Sequence, residues 1–116
     1  MANEQRGEVE LRLGDETYTL RPTFEALCAI EGRLGAGVLE IAERMAARRI
    51  GLREVAAIVF ETAKAGGHKV TESEIGAGIL EAGLFAVILP VVELFSRALA
   101  GPAEGNAPAP PIEPNA

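Results

Sequence analysis

The residues best suited to chemistry are few, and they lie far apart along the chain. The sequence holds one histidine, His68, and one aspartate, Asp15. A catalytic histidine needs a positioned partner, and Asp15 lies in a predicted turn, so a Ser-His-Asp arrangement would have to use a turn residue. We therefore expect His68 to be a loop histidine with no special role, and we expect no enzyme activity.

Neither a cofactor nor a metal is predicted from the remaining candidates. The only cysteine, Cys28, falls on the apolar face of a predicted helix, where a buried thiol packs as a small hydrophobe. His68 has no second metal ligand at a suitable spacing. The run Gly66-Gly67-His68-Lys69 lacks the phosphate-loop pattern and its preceding strand.

Four arginines form a basic cluster around a predicted helix break at Gly51. The simplest interpretation is a solvated face that pairs with Glu40 and Glu54. The alternative is a docking patch for an acidic protein partner. A net charge of −6 and the lack of interleaved aromatic residues argue against nucleic-acid binding. The cluster consists of Arg44, Arg48, Arg49 and Arg53.

The start of the chain predicts a β-hairpin over residues 7–21. Val9, Leu11 and Leu13 alternate with charged residues, which is typical of a half-buried strand, and the pattern resumes after a short turn that begins at Gly14. A lone hairpin is marginally stable in water. Its apolar face should therefore lie on the helices.

The 3.6-residue period predicts a series of helices over residues 23–100. Thr23 is the predicted N-cap and Gly35 the predicted stop of the first helix, and Thr71 with Glu74 forms a capping box for the fourth. The first four helices are expected at about 24–34, Val38–Arg48, Leu52–Ala65 and Glu72–Glu81. Inward-facing residues should include Phe24, Leu27, Cys28, Ile30 and Leu34 in the first, Val38, Leu39, Ile41, Ala42 and Met45 in the second, and Leu52, Val55, Ala56, Val59 and Ala63 in the third.

The stretch from Ile79 to Leu99 is expected to hold the central core helix. Its uncharged run from Ala82 to Val92 is about half the roughly 20 residues that a membrane span needs, so no membrane association is predicted. A helix that is apolar all round is usually buried, and Pro90 should kink it. The residues predicted to be largely buried are Leu84, Phe85, Ile88, Val92 and Phe95.

Together these patterns predict an α+β fold, mainly α, with an N-terminal β-hairpin packed on a bundle of four to five short helices. We expect a flexible N-terminus over residues 1–6, a single globular domain over 7–100 and a disordered Pro/Ala-rich tail over 101–116. A single cysteine and a polar start without a signal peptide indicate the cytoplasm.

The order of elements resembles the gene transfer agent tail family over residues 7–101. The stretches that carry the resemblance are the hairpin GEVELRLGDETYTLRPTFEALCAIEGRLG, the later GGHKVTESEIGAGILEAGL and the closing VVELFSRALAG. Its most specific parts are the hairpin-to-helix junction from Tyr18 to Glu25 and the Gly66-Gly67-His68 turn. These small proteins are encoded among the tail genes of α-proteobacterial gene transfer agents and related long-tailed phages.

The resemblance implies a role in tail assembly. Family members look like tail assembly chaperones, which would coat the hydrophobic tape measure protein until tube subunits polymerise around it, and they are also labelled tail tube proteins. The partners implied are the tape measure protein and the tail tube protein, with a homo-oligomer as a further option. A structural tail tube subunit and a small helical adaptor that binds one protein partner are the alternatives. The predicted partner contacts are Ile79, Leu80 and Leu84, with Arg44, Arg48, Arg49 and Arg53 steering an acidic client.

Overall fold

The chain begins its regular structure with a two-stranded antiparallel hairpin. The computed structural model describes Asn3 and residues 6–101, and within them β1 (Val9–Leu13) pairs with β2 (Glu16–Leu20). Gly14 takes a φ of 64° in the turn, a left-handed conformation that glycine adopts without strain. The alternating pattern buries one face against the helices, as predicted: Val9, Leu11, Leu13, Tyr18 and Leu20.

Five helices follow the hairpin, which confirms the predicted α+β, mainly α fold. Their bounds are α1 (Phe24–Leu34), α2 (Val38–Ala46), α3 (Leu52–Ala65), α4 (Glu72–Ala82) and α5 (Leu84–Ala100). The predicted caps are confirmed. The Thr23 hydroxyl accepts a hydrogen bond from the Ala26 N–H, and Thr71 and Glu74 form a reciprocal capping box.

Helix α2 ends two residues earlier than predicted, at Ala46 instead of Arg48. Arg48 takes a φ of 57°, and its N–H donates to the carbonyl of Met45 while the Arg49 N–H donates to that of Arg44. This is the Schellman pattern of helix termination, which usually places glycine at the left-handed position. The sequence did not reveal the end because an arginine occupies that position.

The core lies between the inner face of the hairpin and the buried sides of α3 and α5. Helix α3 is the most enclosed element, with an uninterrupted buried run from Val55 to Val59. Arg33 on α1 binds Glu61 on α3 at 3.1 Å and Glu72 on α4 at 2.6 Å. At the far end of the fold, the Arg97 side chain donates to the Glu8 carbonyl oxygen at 2.6 Å, which ties α5 to the start of β1.

The apolar stretch from Ile79 to Leu99 is two helices and not one. The chain turns by 116° between α4 and α5, at Gly83 with a φ of 96°, and α5 then continues through Pro90 to Ala100. No helix in the described part of the chain is by itself long and apolar enough to cross a membrane, and α4 and α5 reach that length only when taken together across their bend.

The prediction that α5 is buried on most sides was wrong for one face. Ile88 and Phe95 are buried as predicted, and Leu84 and Val92 are partly buried. Phe85, however, is 70% exposed. The hairpin and the other helices cover only one side of α5, and an apolar composition does not say which side stays open.

Four further residues predicted to face inward lie at the surface instead. These are Phe24, Cys28, Leu39 and Leu52. In α1 and α2 the buried positions are Ala26 and Ile30, and Ile41 and Met45. Each helix therefore contacts the core along a stripe narrower than its apolar face.

The predicted division into a flexible N-terminus, one domain and a disordered tail remains a prediction. Residues 102–116 and most of residues 1–5 lie outside the described part of the chain.

Two glycines inside α4 allow a matched stability test. A β-carbon on Gly76 would meet nothing within 4 Å, whereas one on Gly78 would lie 3.2 Å from the Cβ and Cδ1 atoms of Leu13. Because alanine stabilises a helix interior relative to glycine, Gly76→Ala should raise the free energy of unfolding by about 0.5–1 kcal/mol. Gly78→Ala should be less stable than Gly76→Ala by about 1 kcal/mol, since Leu13 must move. Urea denaturation measures both, and an equal gain at the two positions would contradict the packing of α4 on β1.

Candidate protein-binding surface

His68 attaches the hairpin to the end of α3. Its Nε2 atom accepts a hydrogen bond from the Thr19 N–H at 2.8 Å, and its ring meets Tyr18 edge-on with centroids 5.2 Å apart. The prediction that His68 has no special role was therefore wrong. The role is structural, and the sequence gave no signal for it because the partner is a backbone group 49 residues away.

Gly66, at the end of α3, allows the backbone of Thr19 on β2 to approach closely. A β-carbon at this position would overlap the Thr19 carbonyl oxygen and lie 3.1 Å from the Thr19 carbonyl carbon. Next to it, the Arg21 N–H donates to the Thr62 carbonyl at 2.9 Å. The two most specific stretches of the resemblance, the hairpin-to-helix junction and the Gly66-Gly67-His68 turn, thus contact each other and serve the fold.

Within the basic cluster, Arg44 is engaged by an acid of the same chain. Its Nη2 atom lies 2.7 Å from both carboxylate oxygens of Glu54, and Glu54 also accepts from the Gly51 N–H at 3.0 Å. The Gly51 N–H and the Arg44 guanidinium lower the pKa of the Glu54 carboxyl. Glu54 therefore stays ionised at neutral pH and keeps Arg44 paired. Glu40, the other predicted partner, forms no ion pair with the cluster within the described residues.

Arg48 links the basic cluster to the start of α5. Its guanidinium carbon lies 5.3 Å from the centre of the Phe85 ring, within the range of a cation–π contact. Arg48, Arg49 and Arg53 are exposed. The left-handed backbone of Arg48 ends α2 and leads the chain on to the exposed Arg49.

Exposed apolar side chains surround the α4–α5 bend. Leu80 is 67% exposed, Phe85 70% and Leu89 66%, and Phe85 and Leu89 are one turn apart on α5. We call these three residues the bend patch. Of the other predicted contacts, Leu84 is half-buried. Ile79 was wrongly predicted as a surface contact, because it faces the core side of α4 and is fully buried.

A groove of about 960 Å³ runs between the hairpin turn and α4, and Leu80 forms part of its wall. Its charged wall residues are four acids and one lysine. These are Asp15, Glu16, Glu74, Glu81 and Lys69. Within the described residues, no group of three or more metal-ligating side chains comes together. The bend thus carries exposed apolar side chains, with mainly acidic charged residues near Leu80 and Arg48 over Phe85.

The fold and this surface define a small, mainly helical α+β domain with an exposed apolar patch beside arginines. A family model described as "phage tail tube protein, GTA-gp10" matches residues 6–101, and the chain belongs to that family. The predicted membership of a gene transfer agent tail family is confirmed. Comparison with curated proteins and with solved structures gives no match. By this family membership, the chain acts in phage-type tail morphogenesis.

Proposed function

We propose that this protein is a tail assembly chaperone that binds the tape measure protein and keeps it soluble until the tail tube polymerises around it. The observation that carries the proposal is the bend patch, with three large apolar side chains each about two-thirds exposed. Phe85 and Leu89 lie one turn apart on α5, Leu80 lies at the end of α4 just before the bend, and a group of exposed large apolar side chains is a common sign of a binding site for protein. Such a chaperone acts in the cytoplasm, before assembly, and needs no cofactor.

The patch fits a long helical client with an apolar face. Burying apolar side chains of the client against Leu80, Phe85 and Leu89 removes both surfaces from water, which is the main driving force of such association. Arg48, held over Phe85, would pair with an acidic residue of the client at the rim. A rim charge changes the association rate more than the affinity, so the apolar contacts should dominate binding.

The second candidate function is a structural tail tube subunit, and the description of the family favours it. Against it stands the size of the sheet. Tube subunits build rings from extended sheets, and the described residues contain a single two-stranded sheet. A small helical adaptor for another partner is the remaining alternative, and it would use the same patch.

Co-expression with a tape measure fragment tests the chaperone proposal. The fragment should stay soluble with the wild-type protein, co-purify with it, and remain bound in about 0.5 M salt, where charge interactions are screened within a few ångströms. Leu80→Asp and Phe85→Asp should each abolish this effect while the fold persists, because both side chains already lie in water.

Phe24→Asp is the matched control. Phe24 is 77% exposed, as open as Phe85, but it belongs to α1, whereas the bend lies between α4 and α5. This variant should keep the fragment soluble. A fragment that is equally soluble without the protein, or with Leu80→Asp, would refute the chaperone. Stable rings of the purified protein would indicate a tube subunit, and co-purification of an unrelated host protein an adaptor.

A further inference from the structure

The two ends of the bend patch lie beside side chains of opposite charge. On the α4 side, Leu80 lines the groove whose walls carry four acids and one lysine. On the α5 side, Phe85 lies under Arg48, and the exposed Arg49 follows directly. The chain itself joins the two sides within a few residues, from Glu81 through Gly83 to Phe85.

These charges are not neutralised within their own surfaces. Glu54 is bonded to Arg44, and neither Arg48 nor Arg49 forms an ion pair among the described residues. In the groove, Glu16 and Glu81 likewise form no ion pair within the described part of the chain. Each surface therefore offers charge to an outside partner, and the two surfaces complement each other.

We propose that the bend patch is the contact surface of a two-fold symmetric dimer of this chain. A two-fold symmetric dimer brings the same patch of both copies together. The α4 side of the patch in one copy then lies against the α5 side of the patch in the other. Here the apolar residues would meet at the centre, and the acidic groove of each copy would face Arg48 and Arg49 of the other. One chain supplies both halves of the complementarity, so a second copy can satisfy both sides of the patch.

The net charge of the chain strengthens the case for this orientation. Two copies that each carry −6 repel one another in most relative orientations. In the symmetric dimer, Arg48 and Arg49 of each copy face the acidic groove of the other copy. The charges at both contacts therefore attract each other. Because three exposed apolar side chains make a small interface, the dimer should be weak and depend on concentration. The inference does not depend on which client the protein binds, although a client on the bend patch would compete with the dimer.

Sedimentation velocity of the full chain, from about 10 µM to about 1 mM, provides the test, since this range brackets a weak dissociation constant. The wild type should shift from monomer towards dimer. Arg48→Glu/Arg49→Glu makes both sides acidic, and Glu16→Lys/Glu81→Lys makes both sides basic. Each variant alone should weaken dimerisation roughly a hundredfold, since like charges then face each other.

The decisive sample is an equimolar mixture of the two charge-reversed variants. In a two-fold dimer of one variant with the other, both contacts become complementary again, so the mixture should restore a species of twice the monomer mass. Circular dichroism and melting temperature check that each variant folds. Phe85→Ala, an exposed position, should also weaken the dimer and does not alter charge.

Three results would overturn the inference. These are a wild type that stays monomeric throughout the range, a dimer that neither pair of charge reversals weakens, and a mixture that forms no dimer or continues beyond it to larger species. The last would indicate head-to-tail association, which does not close at two copies.

Discussion

Gly66→Ala is expected to lower the free energy of unfolding by at least about 3 kcal/mol, at the upper end of the usual cost of overpacking. The new methyl group would overlap the Thr19 carbonyl oxygen, so the backbone of β2 or of the α3 end must move. That movement would also disturb the hydrogen bond from Thr19 to His68. Urea denaturation measures the loss, which is a large part of the 5–15 kcal/mol that stabilises a typical domain.

The conformation of Gly66 makes this test clean. Its φ is −78°, which alanine adopts without strain, so a loss of stability must come from the close approach to Thr19 and not from the backbone angle. Gly76→Ala, which meets no neighbour, is the control for the same chemical change. If Gly66→Ala were as stable as the wild type, the hairpin would not pack on the end of α3 as described.

Phe95→Ala should cost about 3–5 kcal/mol of stability, whereas Phe85→Ala should change stability by less than about 0.5 kcal/mol. The two residues lie on the same helix, but Phe95 is 1% exposed and Phe85 is 70% exposed. Only the first change leaves a cavity in the core. Thermal melting followed by circular dichroism would compare the pair.

The same two variants separate folding from binding. Phe85→Ala should fold normally and yet bind the tape measure fragment less well, since it removes the centre of the bend patch. A clear drop in melting temperature for Phe85→Ala would show that the ring is buried, and the bend patch would then lose its central residue.

Much of the fold could be predicted from the sequence because its signals are local. The alternation around Gly14 indicated the hairpin, and Thr23, Gly35 and the Thr71–Glu74 capping box marked helix ends. Leu80 is exposed, and its role as a partner contact remains a prediction. In each case, neighbours in the sequence determine the conformation.

The rest depends on contacts between distant parts of the chain. The sequence did not show which face of α5 the other elements cover, so Phe85 was wrongly expected to be buried. The left-handed conformation of Arg48 was missed because glycine is the usual residue at that position of a helix end. The contact between Arg48 and Phe85 joins residues 37 positions apart in the sequence. The candidate site therefore depends on tertiary packing. Local sequence patterns had assigned Arg48 to a basic cluster and Phe85 to the core.

The tie between Arg97 and the Glu8 carbonyl joins groups 89 residues apart, and it has a consequence for how the protein is made. The ribosome releases the hairpin first, but the surfaces that bury its apolar face belong to α3, α4 and α5, which emerge later. A two-stranded hairpin is marginal alone, and contacts this distant in sequence slow folding. We therefore expect the apolar face of the newly synthesised hairpin to stay exposed until α5 has been synthesised and can pack against β1.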